Sequence, residues 1–173
     1  MNWYNLFKFA AIKLLHGTSS NFTEFDLSFA GQRDWGDYGT GVYLTTNDYM
    51  ARSYAHESAK NHGGNPVVYL VEANVSNLAN MDDPNLLSII SQETNAPFPK
   101  KLEPGKPQSR PEGESRDIRE FLIKLGYDGV IVRDIEYVVF DPAKIKILKA
   151  FDLTDNSGDL TDNSDIVPFW LDS

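Results

Sequence analysis

Residues 129–148 read GVIVRDIEYVVFDPAKIKIL. Three short strand candidates follow one another there, GVIV, EYVVF and IKIL, rich in β-branched and aromatic residues. Upstream, strands and helices do not alternate regularly. IKLLH (12–16) reads as a strand running into a turn, and VVYLVEANV (67–75) as another strand. GVYLTTNDYMARSYAHESAKNHGG (41–64) reads as strand, cap and helix. Thr46, Asn47 or Asp48 can cap that helix, Met50, Ala51, Tyr54, Ala55 and Ala59 recur at helical spacing, and Gly63-Gly64 ends it. Asp83-Pro84 predicts the N-cap and first position of a short helix through about Ser91. Ser115 is expected to cap RDIREFLIKLG, with Ile118, Phe121, Leu122 and Leu125 on one face and Gly126 at its end. This order predicts an α+β fold with a largely antiparallel sheet rather than a doubly wound one.

A chain of 173 residues can bury one sizeable core. We expect a single catalytic domain over 1–151 and an acidic tail over 152–173. In that tail DLTDNS occurs twice, at 152–157 and 159–164, with six aspartates and no lysine or arginine. Such composition predicts a solvated tail, although PFW (168–170) could dock. The first dozen residues could form a short amphipathic helix with Trp3, Phe7, Ala10 and Ala11 on one side. Two stretches lack periodicity: 22–41, with four glycines, and 94–114, with five prolines and two glycines. Loops of that length usually have a task.

The absence of cysteine removes disulfides, thiolate nucleophiles and cysteine-ligated zinc, and three histidines argue against a metal site. The formal charge of −9 opposes loose association with nucleic-acid backbone without excluding a local basic groove. No segment is long enough to span a membrane, and a cytoplasmic protein is the default expectation.

Four features could carry chemistry, and each alone has an ordinary explanation. A lone histidine such as His16 usually caps a strand end; Tyr43 and Tyr54 could be core aromatics. Glu136 could be a solvated strand end, and Gly17, Gly39 and Gly41 turn glycines. Their order says more. HGT at 16–18, F-x-x-F-D before a glycine-rich loop, GTGVYLT at 39–45, a second tyrosine eleven residues after the first, GYDGVI and EYVVFDPAKIKI occur in sequence. The set resembles the His-Tyr-Glu branch of the ADP-ribosyltransferase superfamily, which includes diphtheria toxin and the poly(ADP-ribose) polymerases. It is most similar to small phage and bacterial members. The likeness runs from about Leu14 to Ile147, with the proline-rich stretch unmatched.

The resemblance implies an ADP-ribosyltransferase-like split sheet and transfer of ADP-ribose from NAD⁺, without a metal, to a protein or nucleic-acid acceptor. It implies that backbone groups of Gly17 pair with the nicotinamide carboxamide and that His16 bonds a ribose hydroxyl. Tyr43 and Tyr54 would flank the nicotinamide ring, Thr18 and Arg33 would serve the adenosine half, and Glu136 would stabilise charge on the ribose. The polymerases place a serine where this chain has Ala51, so Ser53 or backbone would substitute. Asp134 stands two residues before Glu136, where arginine-modifying relatives carry a second acid or amide. Arg33, Arg52, Lys100, Lys101, Lys106 and Arg110 could form basic edges around the site. Single transfer in phage–host conflict, or as a toxin held by an antitoxin, is the expected setting. NAD⁺ hydrolysis, RNA 2′-phosphotransfer and a non-catalytic binding module are the competing readings; the second is disfavoured because His56 and His62 lie on or just past a helix.

Overall fold

The structure is a computed structural model and describes residues 11–29, 36–98 and 110–154. The elements are β1 (Ile12–Thr18), β2 (Val42–Thr45), α1 (Asp48–His62), β3 (Val67–Ala73), β4 (Leu78–Asn80), α2 (Pro84–Glu93), α3 (Glu112–Lys124), β5 (Gly129–Val132), β6 (Glu136–Val139) and β7 (Ile145–Asp152). Among the described residues the strands form one sheet in the order β4-β5-β6-β2-β1-β3-β7. Only β4 and β5 run parallel; every other neighbouring pair is antiparallel, as the strand order in the sequence predicts.

Both faces of the sheet are covered, which is why β3 and the EYVVF segment read as nearly continuous apolar runs. One face packs Leu14, Val42, Leu44, Tyr69, Val71, Tyr137 and Val139 against Phe22, Phe25 and Leu27 of the first loop. The opposite face carries two separate clusters. Ile90 of α2 and Ile118 and Leu122 of α3 pack on Val130, Val138 and Phe140. Ala51 and Ala55 of α1 pack on Leu15, Val68 and Leu70. The helical layer therefore divides between β2 and β1, and the ladder thins at the same place. β1 pairs with β3 from Ile12↔Ala73 to Thr18↔Val67, yet meets β2 at Leu15↔Thr45 alone.

Local chemistry sets the helix ends. Asn47 caps α1, its side chain accepting from the Met50 N–H at 3.0 Å, and Gly63 closes it with φ +75°. Asp83 caps α2 with Pro84 in the first turn. Ser115 does not cap α3. The helix begins four residues earlier than that cap would set it, after Pro111, with Glu112 and Glu114 favourably placed in its positive first turn, while the buried Ser115 hydroxyl donates to the Gly36 carbonyl at 3.1 Å. β7 extends beyond the expected IKIL, through Asp152, and the Leu153 N–H bonds the Pro66 carbonyl. The expected N-terminal helix, most of the proline-rich segment and the tail from 155 lie outside the described residues. No helix among the described residues is long and apolar enough to cross a membrane.

The aspartate of GYDGVI ties the sheet edge together. One Asp128 oxygen accepts from Lys144, the other from the N–H groups of Ser76 and Asn77 and the Ser76 hydroxyl. Desolvation works against the charge, but these donors outweigh it and hold the carboxyl well below the usual range. A lowered folded-state pKa contributes stability above the unfolded value near 4 that is lost as pH falls through and below it. Asp128→Asn should lower unfolding free energy at pH 7 by about 1–2 kcal/mol and flatten that acid limb, as read by denaturant melts at pH 7 and pH 3.

Candidate active site

The parting between β1 and β2 has a local cause. The Thr46 N–H bonds the Ile135 carbonyl at 2.9 Å, so by antiparallel alternation the backbone groups of Val42 and Leu44 face β6 and those of Tyr43 face β1. Continued by two residues from Leu15↔Thr45, the β1/β2 ladder would set Gly17 opposite Tyr43. Instead the Tyr43 carbonyl is taken by the His16 side chain, whose Nδ1 lies 2.8 Å away. A carbonyl can only accept, so Nδ1 carries the hydrogen and Nε2 presents a lone pair. Burial lowers the His16 pKa, and the bond to Tyr43 opposes this only in part, so the ring is neutral at pH 7. Phe25 stands edge-on to it with centroids 5.1 Å apart. Nε2 has no hydrogen-bond partner among the described residues.

Glu136 opens β6 directly opposite Thr45, and Tyr43 lies two residues from Thr45 on the same face. From α1, Tyr54 brings its hydroxyl to 3.4 Å from Glu136 Oε1. The strand end is held firmly. The Ile135 carbonyl accepts both the Thr46 N–H and the Thr45 hydroxyl, and the preceding turn places Arg133 (φ 51°) and Asp134 (φ 55°) in the left-handed region. An arginine there is strained, and the Arg133 N–H is fixed by Asp82 at 2.6 Å. Asp134 is exposed within this turn.

The other expected residues sort as follows. Gly17 lies directly under α1, and its lack of a side chain is demanded by the Ala51 carbonyl. Thr18 is buried and its hydroxyl accepts from the Ser20 N–H at 3.2 Å. The Tyr43 hydroxyl is engaged in the fold: it donates to the Gly39 carbonyl at 2.9 Å and accepts the Tyr38 N–H at 3.0 Å. Ala51 is wholly buried, and Ser53 is exposed on the helix. Arg33, Lys100, Lys101 and Lys106 lie outside the described residues. Arg52 pairs with Asp48, and Arg110, expected at an exposed basic edge, is wholly buried. Sequence reading also passed over Tyr38. Its side chain packs on the core beneath α2 and α3, its N–H is taken by the Tyr43 hydroxyl, and burial first and the Glu136 charge second raise its phenol pKa. Flanked by Asp37 and Gly39, it reads in sequence as one more turn residue. Among the described residues no group of three or more His, Asp or Glu side chains could hold a metal ion.

A mostly antiparallel sheet, parted where a His-Gly pair meets a tyrosine-bearing strand and a glutamate opens the next one, has the architecture of an ADP-ribosyltransferase domain. The chain belongs to the family described as ADP-ribosyltransferase in polyvalent proteins, which matches residues 10–158. Domains of this kind use NAD⁺ as substrate. A chain of the M. tuberculosis MbcT–MbcA toxin–antitoxin complex is similar over 83% of this chain and 85% of that one, at 13% identity and a TM-score of 0.48. No curated protein matches.

Proposed function

We propose that the protein is a mono-ADP-ribosyltransferase that moves ADP-ribose from NAD⁺ to a macromolecular acceptor and releases nicotinamide. The bond of His16 to the Tyr43 carbonyl where the sheet parts, with Tyr54 reaching Glu136 at the start of the neighbouring strand, supports this reading best. In the transfer, the bond between C1′ and the nicotinamide nitrogen breaks, its electron pair leaving with nicotinamide. A nucleophilic acceptor atom then bonds C1′ and loses its proton to Glu136 or to water. Positive charge builds on the ribose as the first bond stretches, and the Glu136 carboxylate, fixed by the Ile135 anchor, stabilises it without reorganising. The same carboxylate can hold a ribose hydroxyl through the transfer.

His16 serves as an acceptor rather than a base: the Nε2 lone pair receives a ribose O–H while Nδ1 stays with Tyr43. The faces of Tyr43 and Tyr54 hold the cationic ring, an attraction worth about 0.5–2 kcal/mol per favourable contact. Gly17 offers backbone groups to the carboxamide, with Thr18 and Arg33 assigned to the adenosine half. The acceptor is a protein side chain or a nucleic-acid group, and the setting is phage–host conflict or a toxin with a regulatory partner.

Incubating cell lysate with labelled NAD⁺ and either wild type or Glu136→Gln, then separating protein and RNA, tests the reading. Label in one fraction with wild type alone supports transfer and names the acceptor class. Nicotinamide release without label identifies a glycohydrolase, no consumption a binding module, and long ladders overturn single transfer.

The role given to His16 carries its own pH signature. With a pKa below 6.5 in the fold, the ring keeps its lone pair through neutrality and loses it only in acid. Affinity for NAD⁺ should be flat from pH 8 to about 6.5 and fall by about tenfold once His16 protonates, a dependence that His16→Gln abolishes at an already weakened level. Calorimetric titration with NAD⁺ at pH 8.0 and at successively lower pH below 6.5, down to the acid limit of the folded state, reads it. Stability follows the same sign: the unfolded imidazole takes its proton first, so folding free energy declines as pH drops from 6.5 toward the lower folded value and is constant above.

A further inference from the structure

The Arg110 guanidinium is wholly buried, and its bonds join segments distant in sequence. Nε donates to the Asp37 carbonyl at 3.0 Å, and both terminal nitrogens donate to the Pro97 carbonyl at 3.2 Å. Nη1 also meets Glu114 Oε2 at 2.8 Å, and the guanidinium lies 4.4 Å from the centroid of the Phe98 ring. The two roots of the proline-rich segment, Pro97 and Arg110, are thus fastened to each other, to α3 and to the backbone just before β2. The Asp37 bond reaches furthest. Its neighbour Tyr38 donates its N–H to the Tyr43 hydroxyl, that hydroxyl donates to Gly39, and the Tyr43 carbonyl takes His16. On the same loop Ser115 holds the Gly36 carbonyl through its hydroxyl and the Thr40 N–H through its own carbonyl.

We propose that Arg110 is a positioning residue for the NAD⁺ site: by fixing the Asp37 carbonyl it sets the 36–40 loop, and with it the Tyr43 side chain, whose hydroxyl that loop holds. The assignment rests on the transferase reading above. A buried arginine–carboxylate pair is a weak reason for its own retention, since apolar replacements of similar volume are often as stable. What an apolar residue cannot supply is a planar fork that serves the Asp37 and Pro97 carbonyls together, and lysine supplies a single ammonium head in its place. Tyr43 gives the clamp its bearing on chemistry, because its hydroxyl is held by the Tyr38 N–H and the Gly39 carbonyl of this loop while its own carbonyl takes His16.

The test compares Arg110→Lys, which keeps the charge beside Glu114 but loses the fork, with Glu114→Gln, which weakens the ion pair and leaves the Asp37 bond. Arg110→Lys should raise KM for NAD⁺ in nicotinamide release by about tenfold with kcat within about threefold. It should also speed hydrogen exchange at the Tyr38 amide by about tenfold or more while the Val68 and Val71 amides keep their protection. Glu114→Gln should lower the unfolding midpoint and leave KM within about twofold. An Arg110→Lys enzyme with wild-type KM and wild-type Tyr38 exchange would overturn the assignment. So would equal KM increases in both variants, which would mark general loosening. A wild type that neither binds nor consumes NAD⁺ would overturn the transferase reading and this assignment with it, whereas wild-type turnover with an unmoved Arg110→Lys KM would overturn this assignment alone.

Discussion

Glu136→Gln is expected to lower the rate of nicotinamide release at saturating NAD⁺ by about a thousandfold while changing NAD⁺ affinity by no more than about threefold. The substitution keeps the shape of the side chain and an oxygen that can accept from Tyr54, so the wall built by α1 persists. It removes only the negative charge. That charge matters little to bound NAD⁺ in its ground state and most when positive charge gathers on the ribose, so the loss belongs in kcat. The neighbouring structure gives no reason for collapse: Glu136 starts a strand whose following residues, Tyr137 to Phe140, are all buried and paired or packed independently of it. Single-turnover nicotinamide release beside calorimetric NAD⁺ binding separates the two quantities. A variant that binds and turns over like wild type would show that the carboxylate charge is not used, and would favour the binding-module reading.

The sequence carried most of the frame because its signals are local. Helical spacing, the Asn47 and Asp83 caps and Gly63 place α1 and α2 without tertiary information. The run 129–148 yields β5, β6 and the first half of β7 because GVIV, EYVVF and IKIL are rich in β-branched and aromatic residues and separated by turn residues. β4 escaped notice: Leu78–Asn80 is three residues long, with a single buried side chain, and becomes a strand only through its parallel register with β5, some fifty residues later. Ser115 was misplaced for a related reason. A serine ahead of an apolar repeat reads as a cap, yet its partner is the Gly36 carbonyl, which no local pattern announces. Arg110 is the sharper case. After a proline-rich stretch an arginine reads as exposed, and its burial depends on three carbonyl and carboxylate groups converging from Asp37, Pro97 and Glu114. For the site, residue types and order were legible at His16, Tyr43, Tyr54 and Glu136. The neutral tautomer of His16 was not, since it depends on a contact between strands, and neither was the engagement of the Tyr43 hydroxyl, which depends on how the irregular loop just before β2 folds back on it.

Gly17→Ala is expected to destabilise the fold by about 2–3 kcal/mol, a large effect for one methyl group. A Cβ built on Gly17 would lie 1.9 Å from the Ala51 carbonyl oxygen, 2.8 Å from its carbon and 2.9 Å from the Ala55 nitrogen. All three are helix backbone, so no side-chain rotation relieves the clash and α1 must move off β1. Ala51 and Ala55 are themselves wholly buried, which fits a helix seated with its backbone against the strand. Because α1 also carries Tyr54, its displacement should draw the hydroxyl from Glu136 and weaken NAD⁺ binding along with stability. Gly113→Ala in α3 is the control: an added Cβ meets nothing within 4 Å, and alanine in a helix should stabilise by about 0.4–1 kcal/mol. Urea unfolding midpoints of the two variants decide the matter. If Gly17→Ala melts with the wild type but loses NAD⁺ affinity, the glycine serves ligand approach alone; if it loses both, the helix requires it whatever else its backbone binds.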